Sequence, residues 1–244
     1  MALPNLKCLI SRENLHQIGT LFFLHGEGYT ADSSRKVLKS LLHREFDFDH
    51  LRVIYPQAPD ITYRVATGGE DKGMWYERNT FSPTDWEKID SINHSCTLIS
   101  QLINLEKSRG IPLQNIIVGG FGMGGIIAMH TAYRFHPEIA GVFTHSSILS
   151  PRSIVLETIR TDLQLNKDKK FPALWMWYGR KDKNWLRWAV HTAECFMDLK
   201  IQTNFQVNYA MQGHEIIPDE VNYLKEWVEQ IIPNPGRGIE KETS

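Results

Sequence analysis

The chain of 244 residues predicts one α/β domain, a mostly parallel central sheet covered by helices on both faces. Three observations lead there. Short apolar runs alternate with amphipathic stretches along the whole chain, the pattern of strands buried on both faces by crossover helices. Four apolar runs lead into polar or glycine-rich turns: HGEG at 25–28, GFGMGG at 120–125, GRKD at 179–182 and MQGH at 211–214. The composition, 42% hydrophobic and 23% charged, is that of a globular chain with a sizeable core. Residues 1–232 read as the domain and 233–244 as a disordered tail.

The elements follow in order. Thr20 to Leu24 is a buried strand running into HGEG. Asp32 to Phe46 places Val37, Leu38, Leu41 and Leu42 on one helical face. Leu51 to Tyr55 is a strand stopped by Pro56 and Pro59. Residues 58–86 carry no period and read as a long loop with Gly68, Gly69 and Gly73 and the aromatic pair Trp75-Tyr76. Loops of that length in a compact domain are often functional. Thr84-x-x-Glu87 fits a capping box before a helix carrying Ile89, Ile92, Cys96, Ile99, Leu102 and Ile103, which Gly110 and Pro112 close. Asn115 to Gly119 is an apolar strand entering GFGMGG and then a helix from about Ile126 to His136. Ala140 to Thr144 is a strand ending at His145-Ser146-Ser147, and Pro172 to Tyr178 another ending at GRKD. A helix over Trp185 to Leu199 and a strand over Phe205 to Tyr209 precede MQGH. Val221, Leu224, Trp227, Val228 and Ile231 mark the last helix, ended by Pro233.

Charge and cysteine usage exclude several classes. Lys plus Arg is 27 against 28 Asp plus Glu, so no global charge favours nucleic acid or an anionic membrane. Cys8, Cys96 and Cys195 are far apart and form no metal or disulfide pattern. No stretch approaches the ~18 apolar residues of a membrane span. The N-terminus has too short an apolar run for a secretory signal, and no lipidation box stands at either end. A cytoplasmic protein without cofactor, metal, nucleic-acid partner or stable membrane insertion is expected.

The turn GFGMGG admits two readings. Gly120, Gly122 and Gly125 match the dinucleotide fingerprint G-x-G-x-x-G. That fingerprint belongs after a first strand and wants an acidic residue about 20 positions on. Here it begins after more than a hundred residues, and the next strand ends in His145-Ser146-Ser147. Gly120, position 122 and Gly124 match instead G-x-nucleophile-x-G, the nucleophile elbow of α/β-hydrolases, in the required strand–turn–helix context. The hydrolase order is nucleophile, acid, His. Asp182 follows 60 residues later and His214 a further 32 on, each just past a strand end. Met123 would supply one oxyanion N–H, and the turn His25-Gly26-Glu27-Gly28 is the expected source of the other. Position 122 itself is Gly.

These residues together resemble the phospholipase/carboxylesterase family of α/β-hydrolases, which includes the acyl-protein thioesterases. The resemblance rests on Phe23-Leu24-His25-Gly26, Ile54-Tyr55-Pro56-x-Ala58-Pro59, and Gly68-Gly69 with Trp75. It continues through Gly119-Gly120-Phe121-x-Met123-Gly124-Gly125, Ala128-Met129-His130-x-Ala132-Tyr133-Arg134, and Ala140-Gly141-Val142-Phe143 with Ser146-Ser147. Asp182 and His214-Glu215 complete it, over roughly residues 8 to 232. Met123 favours the lysophospholipase-like branch, since the thioesterases usually carry Gln there.

The resemblance implies an esterase or thioesterase fold acting on acyl esters or S-acylated proteins with a Ser, Asp and His. The chain departs from it at Gly122, at Glu27, which the resemblance places at the oxyanion hole where the family is usually apolar or small, and at Tyr29, where it has Asp. Gly122 has no side chain to acylate. In a comparable serine hydrolase, loss of the nucleophile costs about 10⁶ in kcat and leaves about 10³ to 10⁴ over water. A family member without activity or with a residue of it is expected. The alternatives are a weak hydrolase using water activated by His214, or an acyl-binding or scaffolding protein. Trp75 and Tyr76 are candidates to line an acyl channel. Ser146 and Ser147 match structural serines of the family and follow no elbow turn.

Overall fold

A computed structural model of the chain describes residues 6–11, 17–62, 71–78, 80, 82–210 and 213–238. Gly68, Gly69, Met211 and Gln212, and the tail beyond 238, lie outside the described residues.

The central sheet has seven strands: β1 (Cys8–Ile10), β2 (Gly19–Leu24), β3 (Leu51–Pro56), β6 (Ile116–Phe121), β7 (Gly141–His145), β8 (Ala173–Gly179) and β9 (Thr203–Asn208). Their spatial order is β1-β3-β2-β6-β7-β8-β9. Every neighbouring pair is parallel except β1 with β3. Strands β2, β6, β7 and β8 are buried at every residue. That is why each reads as a continuous apolar run rather than an alternating one.

Alternation reappears in where the side chains go. Phe22, Leu24, Val118 and Met176 face one layer, packed on α2 (Ile89–Ser108), α3 (Met123–Phe135), α4 (Ile154–Leu165) and α5 (Lys183–Asp198). Leu21, Phe23, Ile117 and Trp175 face the other, packed on α1 (Ala31–Leu42) and α6 (Pro218–Ile231). Successive strand residues thus serve opposite cores.

The chain steps from β2 to β3 on one side, then returns to place β6 on the other side of β2. Order reverses there, and loops leaving adjacent strand ends diverge into a crevice. HGEG and GFGMGG are those two loops.

Several sequence expectations shift. Helix α1 stops at Leu42, four residues early, because His43 turns left-handed at φ 54°. Val37 of its expected apolar face is exposed. Residues 58–86 hold a short antiparallel pair, β4 (Asp60–Thr62) with β5 (Asp71–Gly73). The expected capping box at Thr84 does not form: α2 begins at Ile89, and its cap Lys88 makes no side-chain bond. Glu87 instead accepts from His130 Nε2 at 3.2 Å and from the Ile154 N–H at 3.1 Å. Residues Pro235–Gly238 of the expected disordered tail form a 3-10 turn.

Candidate active site

Helix α3 starts directly at Met123, and Gly122 caps it with φ 52° and ψ −117°. That backbone is strained for any residue with a Cβ and costs glycine little. Gly120 and Gly124 have a different duty. A Cβ on either would lie within 2.2 Å of the Leu24 carbonyl oxygen, so both must be glycine for β6 and α3 to close on the end of β2. The Gly122 N–H donates to the His145 carbonyl at 2.9 Å, tying the turn to β7.

His214 stands over this turn. A Cβ on Gly122 would lie 3.2 Å from His214 Nε2 and 3.7 Å from Cε1, with Gly26 Cα next at 4.0 Å. The imidazole packs against Phe121, ring centroids 4.5 Å apart. Its Nδ1 lies 3.9 Å from Asp182 Oδ2, an ion-pair distance longer than a hydrogen bond. Such bonds are often long without substrate. Half of the His214 side chain is exposed, at 51%. Burial of the remainder lowers its pKa, and Asp182 works against that shift. Asp182 accepts from Tyr178 Oη at 3.3 Å on the same Oδ2, so tyrosine and imidazole share one carboxylate oxygen.

On the other wall, the loop after β2 is pinned by His25. Its Nε2 accepts from the Ala58 N–H at 3.0 Å, and its Nδ1–H donates to the Gly26 carbonyl at 2.9 Å. These partners require a neutral ring, and burial pushes its pKa down to about 4. Trp75 Nε1 donates to the His25 carbonyl at 2.7 Å. Glu27 follows, half-buried, its pKa raised by burial and lowered in part by Arg78.

Gly122, Met123, Asp182, His214 and Glu27 meet in one cleft of about 610 Å³, with Tyr29, Phe121, Ile126, Ile148 and Trp185. Trp75 stands apart from that lining. It is fully buried beneath the loop and acts through the His25 carbonyl. Tyr76 lines a smaller neighbouring hollow that shares Arg78, Ile126 and Ile148 with the cleft. Sequence reasoning missed Tyr178, Arg78 and Lys181. Only Tyr178 and Lys181 had a signal, both flanking the turn that carries Asp182. Among the described residues no three His, Cys, Asp or Glu side chains gather to hold a metal ion.

The profile of the phospholipase/carboxylesterase family matches residues 7–232. The chain belongs to this family. Mouse lysophospholipase-like protein 1 is 34% identical over 233 residues, 95% of this chain and 94% of the mouse protein. Acyl-protein thioesterase 1 homolog 2 of Dictyostelium discoideum is 26% identical over 216 residues, 88% and 93% of the two chains. The crystal structure of Zea mays acyl-protein thioesterase 2 superposes with a TM-score of 0.77 over 92% of this chain and 98% of the maize chain. At 18% identity that likeness shows the α/β-hydrolase fold. Among the described residues no helix is long and apolar enough to cross a membrane.

Proposed function

We propose that this member of the phospholipase/carboxylesterase family recognises acyl esters or S-acylated cysteines and lacks the group that would take the acyl chain. In the family mechanism a serine oxygen attacks the acyl carbonyl, His takes its proton and returns it to the leaving group, and Asp fixes the imidazole. Two N–H groups hold the oxyanion. The roles here fall to Gly122 at the nucleophile position, His214 as base, Asp182 as its orienting acid, and the Met123 and Glu27 N–H groups as oxyanion donors.

One observation carries the reading. His214 Nε2 lies 3.2 Å from where a Cβ on Gly122 would stand, and that Cβ would meet no other atom closer than 3.7 Å, which is Cε1 of the same ring. The place for a serine hydroxyl beside its base is kept, and the residue there has no hydroxyl. Without it no acyl-enzyme forms at this position, and turnover rests on what the remaining site contributes, about 10³ to 10⁴ over water in a comparable enzyme.

The test is hydrolysis of a short-chain nitrophenyl ester and of a palmitoyl-cysteine peptide by the native protein and by Gly122→Ser. The native protein is expected to be near background, and the variant at least about a hundredfold faster. A native protein that Gly122→Ser fails to exceed, or a folded but silent Gly122→Ser, overturns the assignment.

A further inference from the structure

The last strand of the sheet offers a surface that acyl chemistry does not use. β9 is the edge strand beyond β8, and among the described residues it pairs with no other strand. None of its six residues is buried, while every residue of β8 is. The Leu174 N–H donates to the Gln202 carbonyl and the Arg180 N–H to the Asn208 carbonyl, both at 2.8 Å. Backbone direction alternates along a parallel ladder, so Asn204 and Gln206 also turn their N–H and C=O groups to β8. Thr203, Phe205 and Val207 then point theirs outward.

An open edge is usually blunted by a charge, a proline, a bulge or shortness. β9 has none of these. Thr203-Asn204-Phe205-Gln206-Val207-Asn208 carries no charge and no proline, and its register with β8 is unbroken over all six residues. The opposite edge strand, β1, is only three residues long. Beside β9 stands α5, where Leu186, Val190 and Met197 share one face at i, i+4 and i+11. Met197 borders a groove of about 530 Å³ with Gln202, Thr203 and Phe205. Leu186 and Phe205 pack on the same small cluster, so this apolar face of α5 turns to the edge. Met197 is 43% exposed there.

We propose that β9 is the contact through which two copies of this chain form an antiparallel, two-fold symmetric dimer with one continuous sheet. With Phe205 on the axis, Thr203 of one copy stands opposite Val207 of the other. Each outward pair then exchanges two N–H···O=C bonds, and the contact is self-complementary. The side-chain pairs on that face are aromatic with aromatic and β-branched with β-branched, both favourable. On the other face Asn204 meets Gln206, so no like charges oppose each other. The axis stands perpendicular to the sheet. The apolar stripe of α5 therefore meets its own copy and adds apolar area to a ladder that alone falls short of the roughly 1,200 Å² of a stable interface. At a net charge of −1 two copies do not repel at long range. Because the strands run antiparallel across the axis, the two clefts, at C-terminal strand ends, open toward opposite ends of the shared sheet.

The experiment is sedimentation velocity on the full chain across about a hundredfold range of concentration. A dimer is expected to fill as concentration rises. Val207→Pro removes an outward donor only, and proline is tolerated on an edge strand where its N–H would face solvent. It is expected to weaken the dimer at least about tenfold. Met197→Lys puts a charge on the α5 stripe at an exposed position and is expected to weaken it as well, which keeps the test open should Val207→Pro fail to fold. Amide exchange followed by NMR is expected to slow at Thr203, Phe205 and Val207 as the dimer fills, and to stay unchanged at Asn204 and Gln206, already bonded to β8. A chain that stays monomeric throughout overturns the proposal. So does a dimer as tight in folded Val207→Pro or in Met197→Lys as in the native protein, or exchange at the three outward amides that is the same in monomer and dimer.

Discussion

A Cβ on Gly120 would lie 2.1 Å from the carbonyl oxygen of Leu24. Gly124 meets the same oxygen at 2.2 Å. The obstacle is backbone of a central strand, which cannot move aside. Gly120→Ala and Gly124→Ala are each expected to cost about 3 kcal/mol or more by overpacking. Gly213→Ala is the control, since a Cβ there meets nothing within 4 Å, and should stay within about 0.5 kcal/mol. Urea denaturation of the three variants checks this, and equal losses would refute the close-packing account.

Gly122 lies between those two glycines and differs from both. A Cβ there meets no backbone atom closer than 4.0 Å, but it stands 3.2 Å from His214 Nε2, so the imidazole must give by a few tenths of an ångström, and φ 52° with ψ −117° resists a side chain as well. Gly122→Ala and Gly122→Ser should therefore lose a similar amount, about 1–3 kcal/mol of backbone strain. Only the serine should gain esterase activity. Comparing the two separates strain from chemistry. An alanine variant as active as the serine one would mean that the reacting oxygen is not at this residue.

The parts of the fold most legible in the sequence are those under the tightest local constraint. β2, β6, β7 and β8 are buried on both faces and must be continuous apolar runs. The elbow needs Gly120 and Gly124 at fixed spacing because backbone touches backbone. What escaped depends on distant partners or weak signals. β1 is three half-buried residues held by pairing with β3. Helix α4 buries only Val155, Leu156 and Ile159, and its Ser153 cap was the one local sign of it. Trp75 could belong to a cleft wall or a core until its Nε1 is seen on the His25 carbonyl, fifty residues away in the chain. Ser146 looks like a plain strand-end serine, and its left-handed φ of 50° has no local sequence sign.

His25 makes stability depend on pH. Its folded pKa is about 4 against an ordinary 6.5. As pH falls below 6.5 the unfolded chain takes up a proton that the folded one refuses. The stability contributed by the neutral, buried ring is full above 6.5, shrinks as pH falls, and is gone below about 4. It amounts to about 3 kcal/mol. Urea midpoints measured across this range should fall more steeply for the native protein than for His25→Gln, by the slope of one proton. Coincident slopes would show that His25 titrates normally.

A second buried histidine joins the elbow helix to its neighbours. Arg134 Nη1 lies 3.1 Å from His130 Nδ1, and arginine can only donate, so Nδ1 accepts. The proton is then on Nε2, which donates to Glu87 Oε1 at 3.2 Å. Burial lowers the His130 pKa, and Arg134 adds to the effect against the pull of Glu87. Burial alone would raise the Glu87 pKa, but its bonds to His130, Ser153 and the Ile154 N–H outweigh that and hold it ionised. A neutral imidazole thus bridges a guanidinium and a carboxylate, linking the start of α2, the body of α3 and the start of α4. His130→Leu removes donor and acceptor together and leaves both charges without their bridge. The expected loss is about 2–4 kcal/mol, since a guanidinium and a carboxylate each lose a hydrogen bond. His130→Gln keeps one donor and one acceptor and should lose less than half as much. Because α3 carries Ile126 of the cleft wall, the leucine variant should also weaken ligand binding where the glutamine variant does not. Equal stability of the two variants in urea would mean that His130 serves packing alone.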